Sequence, residues 1–239
     1  NFESGMNYAK LVARHPLERR MYEDFQWNLI EIKRKLWALR DKKDAEELRK
    51  ELEILVEEVK DKLLACEEAK RIIDLCQSGN VTLRLMGGFA IRLHCPKYDY
   101  LYNKLGRKPA LDLDLVTYTK HRPKIKKIFT ELGYAPMTSM ALMFATGSAR
   151  QIYQDEAHNR SVDVFFDKLI MCHTIDFKNR LELDTSTITL SDLLLQKVQI
   201  VKINEKDVID TIMLLIEHPL GDHDKETVNI DRVAKLCAE

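Results

Sequence analysis

The sequence predicts an α+β fold: a mixed sheet with flanking helices, preceded by a helical hairpin and followed by a helical region. Three observations predict it. Residues 17–78 contain neither Gly nor Pro and carry apolar residues at helical spacing. Short strand-like apolar runs then alternate with helical runs, and helical spacing returns after Ser191. Strands and helices mixed in this order are typical of an α/β or α+β sheet domain.

The same zones define the predicted domain organisation. Residues 1–5, which precede Met6, are typical of a cloning remnant and carry no functional signal. The remaining chain is assigned to an N-terminal helical hairpin (6–79), a central core (80–190) and a C-terminal helical region (191–239).

Two apolar stripes run through the first zone in steps of three and four. The first consists of Phe25, Leu29, Ile32, Leu36 and Leu39, and the second of Leu48, Leu52, Leu55, Val59, Leu63 and Cys66. They fall out of register across residues 41–44, and Asp44 with Glu47 has the spacing of an N-terminal capping pair. The stripes therefore predict an antiparallel hairpin, with one long bent helix as the lesser alternative. We expect the hairpin to pack on the following domain; a dimerisation coiled coil and an arm that grips a partner are the alternatives.

The central zone opens with a strand-like run that meets Gly87-Gly88 and continues as a helix from Phe89 to His94. Strands are predicted at 81–86, 111–118, 142–146, 151–153, 162–166 and 187–190, and a helix at 123–132. In the last zone we expect helices that begin after a Ser191 cap, at 206–218, and from Asp231 onward.

Composition narrows the classes of function. The 38 basic and 38 acidic residues cancel, which disfavours a protein that coats DNA nonspecifically, because such proteins carry a basic excess. No apolar run approaches the roughly 18 residues of a membrane helix. The five cysteines are widely spaced and form no C-x-x-C pair, so reduced thiols in a cytoplasmic protein are expected.

The strongest chemical signal is Asp112 and Asp114 in the apolar run 111–116. Alternate side chains of a strand share one face, so the two carboxylates are predicted to lie together. Like charges at that spacing require a counter-charge, and oxygen ligands suit Mg²⁺ or Mn²⁺. For an isolated Asp-x-Asp, an exposed edge strand would be the better interpretation.

Two neighbouring features favour a functional site. Gly87-Gly88 ends one strand and opens a helix, where free N–H groups can receive a phosphate. Asp163 lies in another apolar strand and is a candidate third metal ligand. Together these elements predict a metal and phosphate site.

This order of motifs resembles the nucleotidyltransferase superfamily that includes DNA polymerase beta. The branch that looks most similar is that of the AbiEii-type toxins, on the basis of residues 85–93 and 107–116. The same branch is resembled by the leucine pair before Lys197 and by the Lys-Asp-x-x-Asp motif that begins at Lys206. The resemblance covers residues 81–218 and not the hairpin. Gly88 departs from the pattern, because many relatives have Ser there.

The resemblance implies a nucleotidyltransferase-type sheet and a metal-dependent enzyme that moves an NMP group from an NTP to a hydroxyl. Two Mg²⁺ or Mn²⁺ ions would be held by Asp112, Asp114 and Asp163, and the triphosphate by Gly87, Gly88 and Lys197. The acceptor could be a tRNA 3′ end, a protein or a small molecule, and an antitoxin partner and a homodimer are both allowed. The alternative is a catalytically weak nucleotide-binding or interaction protein built around the hairpin.

Overall fold

The structure, a computed structural model, describes residues 16–39, 45–108, 111–137 and 149–238. Within these residues a five-stranded mixed sheet is flanked by helices, which confirms the predicted α+β class. Some predicted features lie outside the described residues: the cloning remnant at 1–5, the break and cap at 41–44, and the strand at 142–146. The assigned boundaries of the three zones stay predictions.

Two long helices form the N-terminal hairpin, α1 (Pro16–Leu39) and α2 (Ala45–Ser78). Two contacts show that they run antiparallel. Lys62 Nζ of α2 donates to Asn28 Oδ1 of α1 at 3.1 Å, and Lys70, which comes later in α2, pairs with Glu18, which comes earlier in α1. The hairpin interpretation of the two stripes therefore agrees with the described helices.

The second helix of the hairpin packs directly on the sheet domain. Glu68 of α2 is buried and accepts hydrogen bonds from Tyr134 Oη at 2.8 Å and from Arg160 Nη1 at 3.0 Å. Ile72, Ile73 and other apolar residues of the same helix enter the main core. Burial of apolar side chains and these polar contacts hold the hairpin against the sheet.

The sheet has the spatial strand order β1-β2-β5-β4-β3. Strand β2 is antiparallel to β1 and parallel to β5, whereas β4 is antiparallel to β5 and β3. The five strands are β1 (Leu83–Met86), β2 (Leu113–Thr117), β3 (Ala135–Pro136), β4 (Arg150–Asp155) and β5 (Arg160–Phe166).

Helices connect these strands and cover the sheet. Between β1 and β2 lie α3 (Gly87–His94) and α4 (Asp99–Lys104), and between β2 and β3 lie a short 3₁₀ turn (Thr119–His121) and α5 (Arg122–Glu131). Helix α4 was not predicted from the sequence.

Strand β2 is shorter than the alternation of the sequence predicted. Leu113 and Leu115 are buried in the core, but Leu111 is 39% exposed because the chain enters the sheet only at Leu113. Asp112 therefore lies just before the strand, and only Asp114 of the predicted pair belongs to it.

The described residues from Leu190 onward form three helices and one small two-stranded sheet, and a second two-stranded sheet precedes them at the end of the central zone. The helices are α6 (Leu190–Val198), α7 (Glu205–Glu217) and α8 (Ile230–Cys237), and the strands are β6 (Lys168–Ile170), β7 (Thr174–Asp176), β8 (Leu220–Gly221) and β9 (Val228–Asn229).

Two predictions for this region were wrong. The strand expected at 187–190 is reduced to a single bridge between Thr187 and Leu85, because the chain turns into α6 at Leu190. The cap of α6 is Thr189, whose hydroxyl accepts the Asp192 N–H, and not Ser191. Ser191 lies inside the helix, where its hydroxyl accepts the Asn229 N–H at 2.7 Å.

The helices of the described part of the chain are either too short or too polar to cross a membrane.

Candidate functional site

The site is built around the middle of the sheet, where Asp114 and Asp163 are direct neighbours. Asp114 on β2 is in register with Met86 of the antiparallel strand β1 and with Asp163 of the parallel strand β5. Neighbouring strands lie about 4.8 Å apart, so residues in register project their side chains side by side from the same face of the sheet. The strand of Asp163, which the sequence placed only in another apolar run, is therefore the direct neighbour of β2.

The carboxyl group of Asp114 has an unusual electrostatic environment. Burial, together with the nearby carboxylates of Asp163 and Asp112, raises its pKa to about 7. Lys197 and Arg150 act in the opposite direction. A carboxyl whose ionised form is this unfavourable would be stabilised by a cation bound beside it.

Gly87 is required by the close approach of Asp114. Gly87 has φ = +75°, and a Cβ atom at this position would lie 2.3 Å from Asp114 Oδ2. A side chain is thus excluded both by the backbone conformation and by the carboxylate. The glycine allows β1 to turn into α3 directly beside Asp114.

The first N–H of this turn already has a partner. Gly87 N–H donates to Oε1 of Gln196, a buried residue of α6, at 2.9 Å. The backbone N–H groups at the start of α3 that would receive an anion are therefore those after Gly87, beginning with Gly88. This corrects the expectation that Gly87 and Gly88 contribute in the same way.

Asp163 is held from one side only. Arg150 Nη2 of β4 donates to Asp163 Oδ2, and the guanidinium lies 5.3 Å from the centroid of the Phe165 ring. The other carboxylate oxygen, Oδ1, is buried and has no hydrogen-bond partner among the described residues.

A cleft of about 640 Å³ is lined by Asp114 and Asp112, whereas Asp163 and Arg150 are not among the described residues that line it. Its walls combine the Gly88 turn and two carboxylates with four basic side chains. The residues that carry these groups are Gly88, Asp112, Asp114, Arg107, Lys108, Lys197 and Lys206. Carboxylates and an excess of cations in one cleft suit a ligand that brings both a divalent cation and phosphate groups.

Two of the cations are fixed by buried carboxylates of α7. Lys197 Nζ lies 2.7 Å from Asp207 Oδ1 and 3.0 Å from Asp210 Oδ2, and the Arg107 guanidinium contacts both oxygens of Asp210 at 3.1 Å. These contacts give Asp207 and Asp210 a structural role as the partners of the two cations. Lys197 lines the predicted cleft, but it is a positioned ion-pair member and not a solvated lysine.

The resemblance implies that the carboxylates of Asp112, Asp114 and Asp163 bind Mg²⁺ or Mn²⁺. The described residues contain no cluster of three His, Cys, Asp or Glu side chains arranged to hold a metal ion. Asp114 and Asp163 nevertheless fit a hard cation, because both supply carboxylate oxygens from adjacent register positions and Asp163 Oδ1 lacks a partner. Asp112 lines the cleft with Asp114 but is exposed and lies outside the strand.

Sequence reasoning missed Arg150 and Gln196. Arg150 begins β4, which pairs antiparallel with β5, the strand of Asp163, across the connection 156–159. The sequence position of Arg150 does not reveal this pairing. Gln196 directly precedes Lys197, which was its only signal. Arg107, at the start of the segment 107–116, pairs with Asp210 and lines the cleft.

Comparisons with known proteins give limited similarity. No family model matches the sequence, and a search of curated proteins finds no significant match. A solution structure of the antibiotic-resistance factor ANT(2″)-Ia is 13% identical with a TM-score of 0.42 and covers 71% of this chain and 91% of that one. A crystal structure of ANT(2″)-Ia in complex with adenylyl-2″-tobramycin is 13% identical with a TM-score of 0.40 and covers 71% and 92% of the two chains. Similarity of this size assigns the chain to no family.

Proposed function

We propose that this protein is a metal-dependent nucleotidyltransferase, of the EC 2.7.7 type, that moves an NMP group from an NTP to a hydroxyl acceptor. One observation carries the proposal: the cleft that places Asp112 and Asp114 beside the Gly88 turn also contains four basic side chains. A nucleoside triphosphate with its divalent cation carries the charges that complement this arrangement.

The cations of the cleft would bind and orient the triphosphate. Lys197 and Arg107 are held by Asp210 at fixed positions, so little side-chain entropy is lost when they contact phosphate oxygens. Lys108 and Lys206 are exposed and add charge at the mouth of the cleft. The backbone N–H of Gly88, at the start of α3, is a further donor for a phosphate.

Asp112, Asp114 and Asp163 would hold the Mg²⁺ or Mn²⁺ ions. When bound, such ions neutralise the phosphates and make the acceptor hydroxyl a better nucleophile. Asp114 must lose its proton to serve as a ligand, and its raised pKa of about 7 links that step to pH. Gly87 keeps the space beside the Asp114 carboxylate open.

The acceptor and the partners are proposed only as classes. A hydroxyl of an RNA 3′ end, such as that of tRNA, of a protein, or of a small molecule would enter from the open side of the cleft. The AbiEii-like arrangement of motifs makes an antitoxin partner a reasonable expectation, and a homodimer is equally allowed. All five cysteines are free, which supports the proposed cytoplasmic location.

The decisive experiment is incubation of the protein with each labelled NTP, Mn²⁺ or Mg²⁺ and a cell extract, followed by localisation of the label. We expect label transfer with the wild-type chain and none with Asp112→Asn or Asp114→Asn. Asp222→Asn is the matched control, because Asp222 is exposed and makes none of the contacts described for the site. Label transfer that survives both active-site substitutions would contradict the proposal.

A second candidate function is an interaction protein that binds nucleotide with little or no turnover. The observation that favours it is the exposure of large apolar side chains on α1, where Trp37 is 73%, Ile30 51% and Trp27 37% exposed. Exposed apolar residues grouped on one element often mark a binding surface. Ile30→Lys with Trp37→Lys should then abolish partner capture and leave nucleotide binding unaffected, while the wild-type chain transfers little or no label.

A further inference from the structure

Arg150 and Asp163 form an ion pair that the proposed reaction does not by itself require. Arg150 Nη2 donates to Asp163 Oδ2, and the two side chains are 31% and 19% exposed. They come from adjacent antiparallel strands, with Arg150 in register with Phe165, two residues beyond Asp163 on the same face of β5. The ring of Phe165 lies beneath the guanidinium and limits the directions in which it can point.

Arg150 contacts only one of the two carboxylate oxygens of Asp163 among the described residues. Asp163 Oδ1 is buried without a hydrogen-bond partner among the described residues. A buried carboxylate oxygen without a partner is costly, and native proteins keep such an atom chiefly where a ligand, ion or water completes it. Asp114, the register neighbour of Asp163, cannot complete it as an anion, because both groups are acceptors only.

We propose that Arg150 is a positioning residue that fixes Asp163 through Oδ2 and thereby presents Oδ1 to a divalent cation shared with Asp114. The inference rests on the proposed function only in taking the cation to be the Mg²⁺ or Mn²⁺ of that site. Carboxylates that bind metals are commonly oriented by a second hydrogen bond, and loss of that partner weakens metal binding. Arg150 has this geometry toward Asp163.

An opposite role for Arg150 follows from charge alone. A guanidinium close to the site repels a divalent cation, and an arginine that competes for Asp163 would weaken metal binding rather than support it. We favour positioning because Arg150 donates to Oδ2 through Nη2 while its Nε, like Asp163 Oδ1, has no partner among the described residues, whereas a competitor that substitutes for the cation would engage both oxygens. Its charge is also largely balanced by Asp163 itself. The two roles predict changes of opposite sign.

The test is a Mn²⁺ titration of the full chain at pH 8, followed by calorimetry and by electron paramagnetic resonance of the free ion. We expect Arg150→Met to weaken Mn²⁺ binding about 10–100-fold, and Arg150→Lys to weaken it less because a charged donor remains. Arg160→Met is the matched control and should bind Mn²⁺ like the wild type, since Arg160 pairs with Glu68 at 3.0 Å, at the other end of β5. Thermal unfolding without metal verifies that each variant is folded.

Unchanged or tighter Mn²⁺ binding by Arg150→Met would overturn the inference, as would the absence of any Mn²⁺ binding by the wild-type chain. If Arg150→Met does not fold, Arg150→Lys decides: Mn²⁺ binding equal to or tighter than wild type rejects positioning. The label-transfer assay is independent of these results. A chain that binds Mn²⁺ through Arg150-oriented Asp163 but transfers no label would refute the proposed function and leave the positioning role intact.

Discussion

Lys62 Nζ of α2 lies 3.1 Å from Asp99 Oδ2 of α4, and both side chains are buried. Asp99 also accepts from Arg92 at 2.8 Å, and Lys62 donates to Asn28 of α1. This network joins both helices of the hairpin to the segment that leads into the cleft. Because removing one member leaves buried polar groups unpaired, the hairpin is energetically tied to the core.

We therefore expect Lys62→Met to lower the free energy of unfolding by about 1–3 kcal/mol, less than for a fully isolated buried charge because Arg92 still pairs with Asp99. Lys60→Met is the matched control. Lys60 pairs with Glu57 at 2.7 Å, but both side chains are about 60% exposed, so its loss should leave the free energy of unfolding essentially unchanged. Urea unfolding measures both values, and equal effects would show that the network contributes no stability.

Gly87→Ala should damage the site more than its backbone strain explains. The new methyl group would meet Asp114 Oδ2 at 2.3 Å and displace the carboxylate. We expect loss of the Mn²⁺-induced shift in melting temperature together with loss of label transfer. Gly133→Ala separates the two causes, because Gly133 has φ = +91° and no atom of the described residues lies within 4 Å of a Cβ there. The free energy of unfolding of that variant should fall only by the backbone strain of about 1–2 kcal/mol, and its Mn²⁺-induced shift in melting temperature should remain.

Metal binding and stability should depend on pH through Asp114. Burial, with Asp163 and Asp112, raises its pKa from 3.8 to about 7, so the folded metal-free protein binds this proton more tightly than the unfolded chain. The stabilisation is complete below about pH 4 and is lost as pH rises through 7. At about 1.36 kcal/mol per pKa unit, the loss is at most about 4 kcal/mol.

Asp114→Asn should accordingly melt at a higher temperature than wild type at pH 8 without metal, and at a similar temperature at pH 4. Mn²⁺ binding to the wild type should tighten between pH 6 and 8, because the cation requires the ionised carboxylate. A difference between the two proteins that does not change with pH would contradict this account.

Asp207→Asn should separate nucleotide binding from metal binding. Asp207 contacts Lys197 at 2.7 Å but does not line the cleft, so the substitution loosens the lysine without removing a predicted metal ligand. We expect weaker NTP binding, about tenfold, with the Mn²⁺-induced shift in melting temperature unchanged. Fluorescent NTP titration and thermal unfolding check the two parts, and a lost Mn²⁺ shift would place Asp207 among the metal ligands.

The elements that the sequence predicted best are those in which one local pattern dominates. The Gly- and Pro-free stretch gave two helices, and the apolar run around Leu115 gave a central strand. The details of the stripes were less reliable. Leu63 was expected on the buried face but is 38% exposed, and the adjacent Lys62 is buried instead. A buried lysine depends on Asp99, a partner 37 residues away, which periodicity cannot detect.

The candidate site shows the same division. Asp114, Asp163 and the Gly87 turn carry signals within a few residues and were predicted as one constellation, and their strands prove to be adjacent. The contacts that orient them were not predictable. Arg150 reaches Asp163 through strand pairing, and Gln196 reaches Gly87 across 109 positions of sequence. Such partners are set by tertiary packing and leave no local pattern.

The consecutive residues Gln196 and Lys197 give α6 a mechanical role. Gln196 accepts a hydrogen bond from the backbone N–H of Gly87, and Lys197 lines the cleft. Because the two are joined by one rigid helical turn, any sliding or tilting of α6 moves the glycine turn and the cation together. A nucleotide bound as proposed above would therefore be affected at two of its contacts by a single displacement of α6.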